Sequence, residues 1–326
     1  MQKAKRIIFD GNHLLHRVLH ANLKAVRDNR LAPEPSEDDR RRYVGGVFGF
    51  IESMRKEIGK LDPDSALVVF DKGLSERRLS LHPEYKQRFS EEERTESNED
   101  FVAAREYRDQ FLRQLSILIQ IIPMLGVKLI QLPGREADDV IGLIARYLSP
   151  RPVVIVTEDA DMLQLIEVGI NIFRPMQDRM VTTINFEREI GYPLDRMLLL
   201  KSVLGEPKRG DNIPGIEGVG YKTALQVATG SPSTAWGDVY DFCAGHASKR
   251  VRKVSESFHT VKRNEHLVDI SKEIFTQSEI DTMRDALGVP RRFDDQGILE
   301  LFTTLKFQRP LDSWDSWTTP FVRLLN

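Results

Sequence analysis

Three short apolar runs in this chain each lead into aspartate, and that pattern limits the fold more than any other feature. Arg6-Ile7-Ile8-Phe9 runs into Asp10-Gly11-Asn12, Ala66-Leu67-Val68-Val69-Phe70 ends at Asp71, and Pro152-Val153-Val154-Ile155-Val156-Thr157 delivers Asp159 and Asp161 just past its end. Short aliphatic and β-branched runs bounded by turn formers are the mark of strands buried on both faces. Helical spacing lies between them. Leu14, Leu15, Val18, Leu19 and Leu23 recur within His13 to Val26, and Tyr43 to Ile58 reads as a second helix whose Gly45, Gly46 and Gly49 suggest close packing. Strands alternating with helices build a parallel sheet, and ligands of such sheets gather outside the carboxyl ends of the strands. Asp10 and Asp71 therefore project onto one rim.

A further segment ends at the same edge. Val127-Lys128-Leu129-Ile130-Gln131-Leu132 reads as a strand, followed by Gly134-Arg135-Glu136-Ala137-Asp138-Asp139 and a helix with Ala137, Ile141, Ile144 and Leu148 on one packing face. Asn171 to Phe173 and Met180 to Ile184 read as further strands. Carboxylates crowded this closely repel one another unless cations neutralise them. Acidic residues alone suit a solvated helix start, but several segments bringing carboxylates to one rim point to a metal site. Hard oxygen donors favour Mg²⁺ or Mn²⁺ over zinc, and the single cysteine, Cys243, excludes a Cys-based zinc site and an internal disulfide. No His motif stands near the rim.

Lys72 to Arg113 departs from the core pattern. It carries a basic cluster with an aromatic (Arg77-Arg78, then His82-Pro83-Glu84-Tyr85-Lys86-Gln87-Arg88), an acidic polar stretch from Ser90 to Asp100, and a charged helix from Phe101 to Leu115 that meets an apolar helix over Phe111 to Leu125. Such an excursion between core elements is either a functional lid or an exposed insertion. Later, Gly215, Gly218 and Gly220 lead into a helix starting near Tyr221, with Lys222 in its first turn. Glycines before a helix N-terminus let backbone amides approach an anion, which grips phosphates without reading bases. Gly-x-Gly-x-x-Gly and a Walker motif are absent, which disfavours nucleotide cofactors. Lys249 to Arg263 is a second basic stretch, equally consistent with a duplex contact or a solvated face. Ser278 to Leu287 and Ile298 to Leu305 read as helices, and the aromatic-rich Asp312 to Phe321 tail as packing on the body in preference to a partner-binding peptide. The formal net charge of −2 means nucleic-acid binding has to come from local patches. No membrane span or signal peptide is visible, so a cytoplasmic location is expected.

In combination, Phe9-Asp10-Gly11-Asn12, Val69-Phe70-Asp71, Pro83-Glu84-Tyr85-Lys86, Gly134 to Asp139, Thr157-Glu158-Asp159-Ala160-Asp161 and Gly210-Asp211-Asn212-Ile213-Pro214-Gly215 resemble, in order, the motifs of the 5′-nuclease superfamily. That superfamily includes flap endonucleases, the 5′-nuclease domain of bacterial DNA polymerase I and phage 5′-exonucleases with ribonuclease H activity. The resemblance spans most of residues 6 to 225, and the length is most similar to the stand-alone phage enzymes. It implies an α/β fold with a parallel-sheet core, a helical arch over about 72–113 and a smaller helix–three-turn–helix module. The implied layout is a nuclease core over 1–204, a duplex-binding module over 205–264 and a helical segment over 265–326. It implies a first Mg²⁺ site at Asp10, Asp71, Glu136, Asp138 and Asp139, and a second at Asp159 and Asp161 with an Asp pair from the Gly-Asp segment. Tyr85, Lys86 and Arg88 are implied at the arch base against the scissile phosphate, with Arg88 one residue short of the usual spacing. Lys201, Gly215, Gly218, Gly220 and Lys222 are implied to hold duplex DNA, with a K⁺ ion at the glycine turn.

One departure matters. Gly205-Glu206-Pro207-Lys208-Arg209-Gly210-Asp211-Asn212 lengthens the Gly-Asp segment, so either Glu206 or Lys208 takes the first acidic position beside Asp211. Glu206 is preferred, because it keeps a carboxylate and the loop absorbs the insertion. The acidic Glu91 to Glu93 run also departs from a uniformly basic arch. The expected activity is a structure-specific 5′-to-3′ nuclease, by two-metal hydrolysis, on branched or 5′-ended duplex DNA and RNA–DNA hybrid. The expected state is a monomer, with a sliding clamp or single-strand-binding protein as a partner by resemblance. Two other classes compete. One is a junction-binding protein with a weakened second metal site, and the other is an RNA-directed nuclease of the PIN type, which the glycine turn disfavours.

Overall fold

The computed structural model describes residues 5–27, 44–90, 92–95, 97–207 and 211–325. Its centre is a six-stranded sheet of β1 (Arg6–Asp10), β2 (Ala66–Val69), β3 (Lys128–Ile130), β4 (Val153–Val156), β5 (Ile170–Arg174) and β6 (Arg179–Val181), ordered β3-β2-β1-β4-β5-β6. The first five strands are parallel, and β6 closes one edge antiparallel to β5. Alternation along the strands explains the continuous apolar runs. Ile8, Leu67, Val69, Val153 and Ile155 enter one core, while Ile7, Phe9, Ala66, Val68, Val154 and Val156 enter the other. A strand covered on both faces has no polar side to show.

Helices Gly11–Arg27, Gly45–Leu61, Glu99–Met124, Asp295–Thr304 and Trp314–Arg323 contribute to the core on one face, and Ala137–Tyr147, Met197–Leu204 and Tyr221–Gly230 to the other. The chain leaves β1 for β2 and β3 on one side, then crosses back to β4 on the other side of β1. The crevice between the ends of β1 and β4 is thus the switch point where doubly wound sheets hold ligands.

Several elements differ from the sequence reading. No turn separates β1 from the following helix, which begins at Gly11 itself. A Cβ there would stand 2.6 Å from the Val69 carbonyl oxygen and 2.8 Å from the Phe70 ring, so only glycine permits the tight exit. The charged and apolar helices of the insertion are one helix, Glu99–Met124, whose Asn98 side chain accepts from the amides of Asp100 and Phe101. Its charged half precedes an apolar half in which Leu118, Ile121 and Ile122 are fully buried. The tail packs as expected, with Trp317 and Phe321 buried and Trp314 stacked on Trp317 at 6.1 Å. Residues 28–43, including Tyr43 of the expected second helix, together with Glu91, Glu96 and Lys208 to Gly210, lie outside the described residues. Among those described, no helix is long and apolar enough to cross a membrane.

Candidate active site

Asp10, the last residue of β1, is buried, accepting from the His13 amide at 3.0 Å and from the Thr157 hydroxyl at 2.9 Å. Thr157 follows β4, so one hydrogen bond spans the crevice between the two strands. Asp159 is fixed by its own amide, which donates to Thr157 Oγ1 at 3.0 Å, and its Oδ1 accepts from the Asp161 amide at 2.8 Å. Ligand atoms of Asp10, His13 and Asp159 lie within 4.8 Å of one another. His13 therefore stands at a rim where the sequence showed no His motif. The signal was its place one helical turn after Asp10, at the head of the helix the strand feeds.

Asp71, just beyond β2, is held at both oxygens. Oδ1 accepts from the Ala137 amide at 2.6 Å, at the start of helix Ala137–Tyr147, and Oδ2 accepts from the Asn12 side chain at 2.7 Å. Asn12 Oδ1 in turn accepts from the Asp71 amide at 2.9 Å. Asn12 thereby sets the spacing of β1 and β2 at the rim. Glu136, also buried, accepts from the Ser75 amide at 2.9 Å, the Tyr85 hydroxyl at 2.9 Å and Lys86 Nζ at 2.6 Å. The same Tyr85 hydroxyl lies 2.9 Å from Asp211 Oδ2, and the Lys86 amide donates to the Asp211 carbonyl at 2.9 Å. Tyr85 and Lys86 thus join the arch base to Glu136 and to the Gly-Asp loop.

Electrostatics divide these acids. Burial, with Asp159 and Asp71 adding repulsion, pushes Asp10 up to about 7 against the hydrogen bonds from His13 and Thr157. Burial and the charges of Asp159 and Asp10 raise Asp138 well above the usual carboxylate range. Burial also raises Asp71 and Asp211, although Lys86 opposes it at both. Glu136 moves the other way, because Lys86 and Arg78 together outweigh its burial. Lys86 itself is raised, since the surrounding acids outweigh its own burial. Carboxylates driven toward protonation in a crevice are short of positive charge. Their hard oxygen donors fit a divalent cation, which would restore the ionised forms.

Two expected ligands have other company. Asp139 gives both oxygens to the buried Arg78 guanidinium, at 2.6 and 2.8 Å, while Arg78 Nε donates to the Leu267 carbonyl at 2.9 Å. Arg78 also lies 3.4 Å from Glu136. Asp161 is ion-paired to Lys201, which reaches Glu206 at 2.8 Å. Glu206 pairs through its backbone with Ile213, at 2.7 and 2.9 Å, so it shares a lysine with Asp161 and flanks the Asp211 loop. Arg88 is exposed, its guanidinium 5.4 Å from the Phe89 ring. Arg78 and Lys201 had no local pattern to announce their partners.

The glycine turn is built tightly. A Cβ on Gly215 would sit 2.0 Å from the Leu204 carbonyl oxygen, and Gly218 has φ +76°. Gly220 precedes helix Tyr221–Gly230, which starts without a side-chain cap, and Lys222 is exposed in its first turn. Ile216 and Val219 are buried and join the sheet core, so the turn is anchored from below.

Residues 5–191 match the model of the family described as 5′-3′ exonuclease, N-terminal resolvase-like domain. The chain belongs to this 5′-3′ exonuclease family. Among its relatives, the thermostable DNA polymerase I of Thermus aquaticus is 30% identical over 227 residues, which are 69% of this chain and 24% of that protein. A 5′-3′ exonuclease of Aquifex aeolicus is 29% identical over 186 residues, covering 56% of this chain and 58% of the relative. The exonuclease-family chain thus spans about a quarter of the polymerases it matches. In fold it is similar to the phage T5 D15 protein co-crystallised with metal ions, with TM-score 0.63, 18% identity and 98% and 99% of the two chains covered. It is also similar to flap endonuclease-1 of Methanococcus jannaschii, with TM-score 0.56, 15% identity and 99% and 92% covered. These likenesses establish the α/β nuclease-type fold with its helical insertions.

Proposed function

We propose that this exonuclease-family chain is a divalent-metal-dependent, structure-specific nuclease that hydrolyses phosphodiesters near 5′ ends or flap junctions of DNA and RNA–DNA hybrid. The observation that carries the reading is the convergence of Asp10, Asp71, Glu136, Asp138 and Asp159 at one sheet edge, with Asp10 and Asp138 driven toward protonation. Bound there, two Mg²⁺ ions would supply an activated water and neutralise charge on the phosphate, with Mn²⁺ able to substitute. Asp10, Asp71, Glu136 and Asp138 would hold the first ion, and Asp159, Asp161, Glu206 and Asp211 the second. Relatives named as exonucleases and the DNA complexes among the similar folds agree with this reading.

The chain's own residues have separable roles. Lys86 places a cation at the rim and offers it to the scissile phosphate, where added negative charge is stabilised. Tyr85 keeps Glu136 and Asp211 at one spacing through a single hydroxyl. Gly215, Gly218, Gly220 and Lys222 grip duplex phosphates, with K⁺ as a further ligand of that turn, while residues 205–264 act as the duplex module beside a core over 1–204. Arg88, exposed beside Phe89, would need to swing inward to meet a phosphate. A competing reading, a junction-binding protein without turnover, draws on Lys201 already compensating Asp161 and Glu206. A 5′-labelled flap duplex assayed in Mg²⁺ and in EDTA separates the two. Mg²⁺-dependent cleavage at the junction is expected, and tight binding with no cleavage in Mg²⁺ or Mn²⁺ would refute the nuclease. Loss of cleavage in Glu206→Ala is expected if that residue serves the second ion.

A further inference from the structure

The opposite edge of the sheet carries a second concentration of charge, of the other sign. Arg6 opens β1, Lys128 opens β3, and Arg291 follows helix Gln277–Gly288; together they line a recess of about 330 Å³ with Ser65 and Val289. Small-molecule sites run from about 300 Å³ upward. An adjoining depression of about 460 Å³ shares Arg6 and adds Arg284 and Tyr147, whose side chain is among the most exposed aromatics at 75%. From Arg6 to Asp10 the strand climbs about 13 Å at the usual rise, so this recess is remote from the carboxylate rim.

Among the described residues Arg6, Lys128 and Arg291 make no ion pair, whereas Arg284 pairs with Asp281 at 3.0 Å. Arg6 donates to Ser65 Oγ at 3.2 Å, and to the Leu148 carbonyl and Ser149 Oγ, both at 3.1 Å. Those bonds use Nε and Nη1 and leave Nη2 open. Arg291 uses only Nη1, on the Asp64 carbonyl at 3.1 Å. Lys128 spends its protons on the carbonyls of Ala286, Leu287 and Val289, so it supplies charge rather than a donor. Among the described residues, the carboxylate that bears on Arg291 is Asp64, which Lys5 pairs at 3.2 Å. Mutual repulsion among the three is visible as a lowered affinity for protons at Lys128 and Arg6, after the effect of burial. Two guanidinium forks with open N–H groups, backed by a fixed ammonium, match the oxygens of a phosphate. The exposed Tyr147 lines the adjoining depression, which shares Arg6 with the recess.

We propose that this recess binds a nucleoside phosphate, its phosphate between Arg6 and Arg291 and its base against Tyr147. The inference stands on this edge of the sheet alone and is independent of the nuclease reading. Calorimetric titration of the full chain in EDTA, with phosphate, pyrophosphate and a nucleoside 5′-diphosphate, tests it. The nucleoside diphosphate is expected to bind most tightly. Arg291→Glu and Arg291→Gln should each weaken pyrophosphate at least about tenfold, since charged hydrogen bonds are among the strong ones. Tyr147→Ala should weaken the nucleoside diphosphate about tenfold and leave pyrophosphate unchanged. Lys86→Ala should change neither. Failure of all three ligands to saturate at millimolar concentration overturns the proposal. So does binding that survives both Arg291 variants but disappears in Lys86→Ala, which would locate it at the catalytic rim. Equal affinity for pyrophosphate and the nucleoside diphosphate overturns the nucleoside assignment.

Discussion

Replacing Arg78 by methionine should unfold this protein far more readily while leaving its metal requirement nearly unchanged. The Arg78 and Asp139 side chains are 4% and 0% exposed and meet at 2.6 and 2.8 Å, so water cannot compensate for a missing partner. Removing one member of a buried, hydrogen-bonded pair costs about 3–5 kcal/mol, because the other charge stays buried and uncompensated. The Leu267 carbonyl loses its donor in the same step. We therefore expect a loss of about 4 kcal/mol in urea unfolding at neutral pH, measured in EDTA so that metal does not contribute. Asp139→Asn should lose part of that stability, since it keeps an acceptor for Arg78. The double variant Arg78→Met/Asp139→Leu should recover to within about 1 kcal/mol of the parent, as apolar replacements of buried pairs do. The reasoning fails if Arg78→Met loses less than about 1 kcal/mol. It also fails if Asp139→Asn leaves stability intact and shifts the Mg²⁺ dependence of flap cleavage by tenfold or more, for Asp139 would then be a ligand.

Other outcomes follow from the same geometry. Asp10 has a folded value of about 7 against an ordinary 3.8, so its contribution favours the protonated fold; without metal, stability should fall as pH rises from about 4 through about 7, and Mg²⁺ should cancel that fall, as read by thermal unfolding. A metal-free protein that gains stability over that range would contradict the assignment. Lys86→Ala should slow single-turnover cleavage by about 10²–10³ with duplex binding retained, the usual scale for losing one group that stabilises developing charge. Gly215→Ala should be strongly destabilising because its Cβ would meet the Leu204 carbonyl at 2.0 Å, whereas Gly220→Ala, with open space around its Cβ, should unfold like the parent. Trp317→Ala should cost about 3–5 kcal/mol with Mg²⁺-dependent cleavage kept below the new melting point, since that ring is buried among Phe302, Trp314 and Phe321.

The strands and the acids at their ends were legible in the sequence, because both signals are local. An apolar run ending in Asp specifies a buried strand and, in a parallel sheet, the edge where its carboxylate emerges. The covering helices and the glycine turn before Tyr221 follow from periodicity and from backbone space in the same way. What only the tertiary structure decided is the company each charge keeps. Arg78 and Asp139 are separated by 61 positions, and Lys201 meets Asp161 across the rim. His13 reaches the Asp10–Asp159 pair only because Gly11 lets the helix start without a turn, and Arg6, Lys128 and Arg291 share a recess only because β1 and β3 begin at one sheet edge. Hydrophobic periodicity is written in neighbouring residues, whereas the partner of a charge is set by which strands lie side by side, and sequence spacing does not encode that choice.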